Sequence, residues 1–239
     1  GEDAIKAAGT AYLPRASGLT DEEYKAYKER ALFYSITNKS VSALAGMATT
    51  KPATLNYNKE LESYFKDAGG VQFHELFTKS ISETLLMGRI GVLADRDGSN
   101  QPYFAIYTAE SIINWNHDDS GVLTQVTLSE RYLETDKNDR FKRTSKLRYR
   151  VLEMVDGLYT QTIYNDGDLS TGVTILPKNY GKPMKFIPFT VINPFGLGFD
   201  NSKPPMLDIV SVNISHYRSS ADLEHGRHFT ALPTPVVSG

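Results

Sequence analysis

The chain has 239 residues, no cysteine and a formal net charge of −2. This length suffices for one or two domains with a buried core, while the lack of cysteine excludes disulfides and thiolate metal sites. No run of about eighteen apolar residues occurs, so nothing in the chain should span a membrane and no membrane partner is expected. A charge near zero gives no overall attraction for nucleic acid.

The N-terminal third is predicted to be helical. Thr20 and Glu23 have the spacing of a capping box. Four residues follow them at helical spacing: Tyr24, Tyr27, Ala31 and Tyr34. A second helix is predicted over residues 72–87, with Gly88 as its terminator.

Residues 90–194 are predicted to form a mainly antiparallel β region. Apolar and polar residues alternate with period two over residues 122–132 and 147–154. Asp156 and Gly157 form a hairpin signal before a further strand over residues 159–164, and two more strands are predicted over residues 90–94 and 103–107. The predicted fold class is therefore α+β.

A long helix is predicted over residues 206–229, after a connection rich in proline and glycine. One apolar stripe runs along it: Leu207, Val210, Ile214, Tyr217 and Ala221. A polar side accompanies the stripe: Asp208, Ser211, Ser215 and Asp222. A short β-prone segment follows the helix, so we expect the chain to be part of a longer protein.

Three groups of residues together resemble a known family. The C-terminal group runs through the predicted helix: Asn213, Tyr217, Arg218, Ser220, Ala221, Asp222, Glu224, His225, His228, Phe229 and Thr230, then Leu232-Pro233-Thr234-Pro235. The central group is Leu86-Met87-Gly88-Arg89 with Gly91-Val92-Leu93, and the N-terminal group includes Tyr12-Leu13-Pro14. On these residues the chain resembles a tailed-bacteriophage portal protein, and more narrowly a portal-like subgroup long catalogued as a domain of unknown function.

The resemblance implies a division of the chain. Residues 1–204 would be the portal wing, with 1–89 mainly helical, 90–194 mainly antiparallel β and 195–204 a linker. Residues 206–229 would be the first stem helix and residues 230–239 the start of the clip. Leu207, Val210, Ile214 and Tyr217 of the stripe would pack between subunits, and the polar side would face the channel or a subunit boundary.

The resemblance also implies a function and a set of partners. The protein would be one subunit of a homo-oligomeric ring, a dodecamer, that forms the DNA channel at the capsid vertex for genome packaging, ejection and head–tail connection. Its partners would be the major capsid and scaffold proteins, the packaging motor (terminase), a head–tail adaptor and double-stranded DNA that passes without sequence specificity. It would lie in the virion, and in the host cytoplasm during assembly, with no cofactor and no catalytic activity.

A basic cluster in the β region is a further candidate contact for DNA or for a partner protein. Its members are Lys137, Arg140, Lys142, Arg143, Lys146, Arg148 and Arg150. Such a patch can neutralise phosphates. Asp136 and Asp139 interrupt it, so a neighbouring subunit or shell protein is an equally good partner.

The sequence gives only weak indications of a metal site or of catalysis. His225 and His228 can share a helix face beside Glu224, but two histidines near a helix C-terminus more often cap carbonyls than bind metal. We therefore expect no metal site. Two alternatives to a portal remain, namely a virion structural or adaptor ring that encloses no DNA and a hydrolytic enzyme that uses the His/Glu cluster.

Overall fold

The structure is a computed structural model that describes residues 1–51, 54, 56, 73–96, 101–136, 139–165, 170–179, 181–200 and 203–231. The fold class is α+β, as predicted. The chain forms two compact units, one of Gly1–Lys51 with Pro205–Gly239 and one of Pro52–Pro204. We call them the helical unit and the β unit. This grouping differs from the division implied by the resemblance, because the C-terminal helix belongs with the first 51 residues.

The described helices are α1 (Glu2–Ala7), α2 (Asp21–Arg30), α3 (Ile36–Ala48), α4 (Phe73–Met87) and α5 (Leu207–Thr230), with short 3-10 turns at Gly9–Ala11 and Ala109–Ser111. The described strands are β1 (Ile90–Arg96), β2 (Pro102–Thr108), β3 (Ile112–His117), β4 (Leu123–Thr135), β5 (Arg143–Val155), β6 (Leu158–Asn165), β7 (Val173–Ile175), β8 (Lys178–Asn179), β9 (Lys182–Pro183), β10 (Phe189–Asn193) and β11 (Gly196–Leu197). Among the described residues, no helix combines the length and the hydropathy needed to cross a bilayer.

Helix α2 begins at the predicted capping box. The Thr20 hydroxyl accepts a hydrogen bond from the Glu23 backbone N–H at 3.3 Å, and the Glu23 carboxylate accepts one from the Thr20 N–H at 2.7 Å. The helix ends at Arg30 because Ala31 adopts an extended conformation (ψ 132°). Tyr34 therefore lies beyond the helix, and the prediction of one helical run through Tyr34 was wrong.

The β unit contains two antiparallel sheets and a small two-stranded ribbon, β8–β9. The four-stranded sheet has the order β11-β10-β1-β2, and the five-stranded sheet has the order β3-β4-β5-β6-β7. The strands predicted from alternation correspond to β4 and β5, and the Asp156-Gly157 turn has positive φ at both residues, as a tight hairpin requires. The β-prone segment predicted after α5 lies mostly outside the described residues.

The two sheets share one core. Its fully buried members come from both: Leu93 and Val191 from the four-stranded sheet, Val126, Leu128 and Leu152 from the five-stranded sheet. Helix α4 packs against the four-stranded sheet and ends at Gly88, whose φ of 79° confirms it as the terminator.

Candidate functional site

Helix α5 is held in the helical unit by one buried row of residues: Met206, Asn213, Tyr217 and Ala221. Tyr217 is 1% exposed, and its ring meets that of Phe33 edge to face, with centroids 5.8 Å apart. Asn213 is buried because its Oδ1 accepts a hydrogen bond from the backbone N–H of Ile36, which begins α3. The buried row therefore contains a polar residue that a search for apolar stripes does not count.

The buried row is rotated from the predicted stripe. Tyr217 and Ala221 belong to both, but Leu207 and Val210 are 41% and 36% exposed, and Ile214 is half-buried. At 100° per residue the two rows differ by roughly 45°. The predicted stripe thus has its C-terminal part in the core and its N-terminal part at the surface.

Polar contacts fix the C-terminal half of α5 against the N-terminal segment. The Tyr27 hydroxyl donates to the Asp222 carboxylate at 2.5 Å, and Arg30 Nη2 lies 3.0 Å from His225 Nδ1. Since arginine can only donate, His225 Nδ1 is the acceptor in this contact. Arg218 Nε donates to the backbone carbonyl oxygen of Tyr12 at 2.8 Å. Together these bonds set the rotation of α5 about its axis.

The predicted polar side is divided between two environments. Asp208, Ser211 and Ser215 are exposed on the surface of the helical unit. The Asp222 carboxylate is engaged with Tyr27, although the residue as a whole is exposed. Asp222 is therefore a packing residue of this unit in addition to any contact outside it.

A second apolar row on α5 was not predicted. We call it the outer row: Ile209, Val212, His216 and Leu223, which lie roughly a quarter-turn from the buried row. Val212 is 71% exposed and Leu223 is 57% exposed. Ile209, Val212 and His216 also border a groove of about 320 Å³ beside Ile36 at the start of α3. The outer row was missed because Ser219 and Ser220 interrupt it between His216 and Leu223.

The basic cluster is largely paired with acidic residues. Lys146 lies 2.7 Å from Glu134, Arg148 lies 2.5 Å from Glu130, and Lys142 lies 3.7 Å from Asp136. Arg140 and Arg143 are exposed near the β4–β5 turn, while Lys137 lies outside the described residues. The pairs reduce the positive charge available to a phosphate backbone, which weakens the case for DNA contact at Lys146 and Arg148.

Arg150 is the centre of a buried ion network that links the two sheets. Its side chain is 10% exposed and contacts Glu130 on β4 at 2.6 Å and Asp95 on β1 at 3.1 Å. The Tyr107 hydroxyl on β2 donates to the same Glu130 carboxylate at 2.6 Å. Charges that are buried this far from water require such partners. Arg150 belongs to the basic cluster in the sequence, but in the structure its side chain lies in the interior and is paired there.

The network changes the titration of its members. Burial alone would raise the pKa of Glu130, but hydrogen bonds from Arg150 and Tyr107 and the charge of Arg150 outweigh it, so the pKa lies below its usual value. Burial and the nearby Glu130 carboxylate raise the pKa of Tyr107. Burial likewise raises the pKa of Tyr159 on β6. The network is therefore built for ionised Glu130 and neutral tyrosines.

The histidine cluster is engaged in packing. The His225 ring lies edge to face with the rings of Tyr27 and Phe229, with centroids 5.1 and 4.7 Å apart. Glu224 pairs with Arg227 at 2.9 Å. Within the part of the chain that the structure describes, no three histidine or acidic residues are placed to hold a metal ion.

Comparison with known proteins gives one finding for this chain. The family model that matches is described as a domain of unknown function (DUF4055), and the match covers residues 205–239. This segment contains α5 and the residues on either side of it. No curated protein matches the chain.

Proposed function

We propose that the chain is a subunit of a phage portal ring that encloses a DNA channel at one vertex of the capsid. The observation that carries the proposal is the outer row of α5, led by Val212 at 71% exposure and Leu223 at 57%. The helix is already anchored to its own unit through the buried row, so the outer row is free to pack against another molecule. The sequence resemblance supplies the kind of assembly, a closed ring.

A ring interface suits the two apolar rows of α5. Subunits in a ring make head-to-tail contacts, in which one surface of a subunit meets a different surface of the next. A helix with one row in its own core and another at the surface provides one half of such a contact, since exposed apolar patches mark interaction sites. The groove beside Ile36 extends the outer row into a wider apolar surface.

The charges are compatible with a conduit through which DNA slides. Each phosphate that is neutralised by lysine or arginine tightens binding through counterion release, so a channel must avoid a strongly basic lining. The net charge is −2, and Lys146, Arg148 and Arg150 are paired with Glu134, Glu130 and Asp95. These pairs offset the positive charge of three of the four basic side chains on β5, and Arg143 stays exposed near the turn.

Substitution of the outer row tests the proposal. In the full-length product of the gene that encodes this chain, we expect Val212→Asp and Leu223→Asp to reduce ring assembly, because a buried unpaired carboxylate opposes packing. Val122→Asp is the matched control, since Val122 is 54% exposed in the β unit. Light scattering of the purified proteins measures the particle mass.

Three results would count against the proposal. Rings of normal mass from both outer-row variants would remove α5 as the interface. A wild-type ring without an axial opening would instead favour a virion ring that encloses no DNA, and metal-dependent hydrolysis lost in His225→Ala would favour an enzyme.

A further inference from the structure

The β unit contains a cavity that neither the ring nor the DNA channel explains. Its volume is about 790 Å³, within the range of sites that bind ligands. Asp95, Arg150 and Tyr159 line its polar end, and Ile163 and Met184 lie among its apolar lining residues. The lining comes from both sheets and from the segment that joins β7 to β10.

Gln161 on β6 supplies a donor without an acceptor. The residue is 4% exposed and lines the cavity, and its Nε2 has no hydrogen-bond partner among the described residues. Buried polar groups without a partner are rare in folded proteins. A bound molecule with an acceptor oxygen at this position would satisfy the Gln161 amide.

Exposed apolar side chains and a sheet edge border the cavity. Ile175, Leu176 and Phe186 line it and are 47%, 40% and 58% exposed. Ile175 lies on β7, the edge strand of the five-stranded sheet, directly opposite Gln161 in the register. An edge strand can pair with an added strand, while pockets beside it take alternate side chains.

Lys178 lines the cavity, and two further lysines follow it closely in the sequence. Residues 170–190 contain Lys178, Lys182 and Lys185 but no aspartate or glutamate. All three lysines are exposed, and none forms an ion pair within the described part of the chain. A partner that carries carboxylates would complement this positive charge.

We propose that this cavity is a docking site for an extended acidic segment of a partner protein. One large apolar side chain of the segment enters between Ile175 and Met184, and a carbonyl oxygen accepts from Gln161 Nε2. The segment runs along the free edge of β7, and its carboxylates face Lys178 and its neighbours. This inference does not depend on the proposed ring, because every residue that it uses lies in the β unit.

The probe is a synthetic acetylated and amidated heptapeptide, Glu-Leu-Glu-Phe-Glu-Leu-Glu, added to the isotope-labelled 239-residue chain. We expect nuclear magnetic resonance shifts at the Gln161 side-chain amide and at Ile175 and Leu176. Lys178→Glu should weaken binding roughly tenfold, the factor that one lost charge-assisted contact gives. Lys25→Glu is the matched control, since Lys25 is an exposed residue of α2 and the change in net charge is the same.

Four outcomes decide the inference. Shifts confined to these residues, with weaker binding in Lys178→Glu and in Gln161→Leu, support it. Because Lys178 is exposed, its substitution leaves the fold intact even if Gln161→Leu does not fold. If a control peptide with lysine in place of each glutamate binds as tightly as the acidic peptide, the inference of an acidic partner is wrong. Shifts with octanoate but none with the peptide would make the site one for a small amphiphile, and no shift with either probe would leave only a solvent-filled cavity.

Discussion

At the scale of single residues, the Arg150 network joins the two sheets through charge. Asp95 and Tyr107 belong to the four-stranded sheet, and Glu130 and Arg150 belong to the five-stranded sheet. The two acidic partners lie 20 and 55 positions from Arg150 in the sequence. No local sequence pattern connects Arg150 with these two acidic residues. In the sequence Arg150 is therefore grouped with a basic cluster, whereas in the structure it forms a buried link between the two sheets.

Replacement of Arg150 tests this cross-link. Arg150→Met should lower the free energy of unfolding by about 3–5 kcal/mol, because it leaves Asp95 and Glu130 buried without their cation. Lys146→Met removes one partner of the more exposed pair with Glu134 and should cost about 0–1 kcal/mol. Urea unfolding measures both, and equal costs for the two variants would mean that Arg150 is solvated.

The same network predicts how stability depends on pH. The folded pKa of Glu130 is lowered, so its contribution is present above its unfolded pKa of about 4.3 and is lost as the pH falls. The folded pKa of Tyr107 is raised, so its contribution is present below its unfolded pKa of about 10 and is lost as the pH rises. Urea unfolding at a series of pH values should show a plateau between these limits. Tyr107→Phe should reduce the alkaline loss, and an unchanged alkaline limb would contradict the assignment.

Two buried tyrosines of the helical unit offer a matched comparison. The Tyr27 hydroxyl donates to Asp222, whereas the Tyr217 hydroxyl has no partner among the described residues. Tyr27→Phe should cost about 1.5–3 kcal/mol, as for a hydrogen bond to a charged group, while Tyr217→Phe should be neutral or stabilising. Thermal unfolding of both variants measures the difference. A larger loss in Tyr217→Phe would show that its hydroxyl is paired.

At the scale of elements, local patterns predict the secondary structure and long-range contacts decide its orientation. The alternation in β4 and β5, the Asp156-Gly157 turn and the α2 capping box were visible because each is a short-range signal. The rotation of α5 about its axis could not be predicted from the sequence. It depends on Asn213 bonding to α3 and on Asp222 bonding to Tyr27, 195 positions away.

The orientation of α5 determines which of its residues can test the proposed channel. A lysine at Asp222 would remove the acceptor of Tyr27 and would disturb packing, so Ser215 is the better site because it is exposed. In complemented infections we expect Ser215→Lys to form normal rings but fewer filled heads, since added positive charge tightens the grip on DNA. Ser215→Ala is the control. Filled heads at the wild-type level in Ser215→Lys would place Ser215 away from the DNA.

At the scale of the whole molecule, the chain consists of two units whose boundaries the sequence did not predict. The proline- and glycine-rich connection before α5 was recognised in the sequence. The sequence did not predict that α5 belongs to the helical unit. That membership depends on Tyr217 and Ala221 sharing a core with Leu13, Tyr27 and Ala31. Under the proposed function, the outer row of α5 is the surface that would join this unit to the ring.

Electron microscopy of the full-length gene product tests the proposed ring most directly. We predict class averages with rotational symmetry and an axial bore wide enough for duplex DNA, with loss of the ring in Val212→Asp. Particles that remain single subunits under assembly conditions, or a closed ring with no bore, would contradict the proposed function.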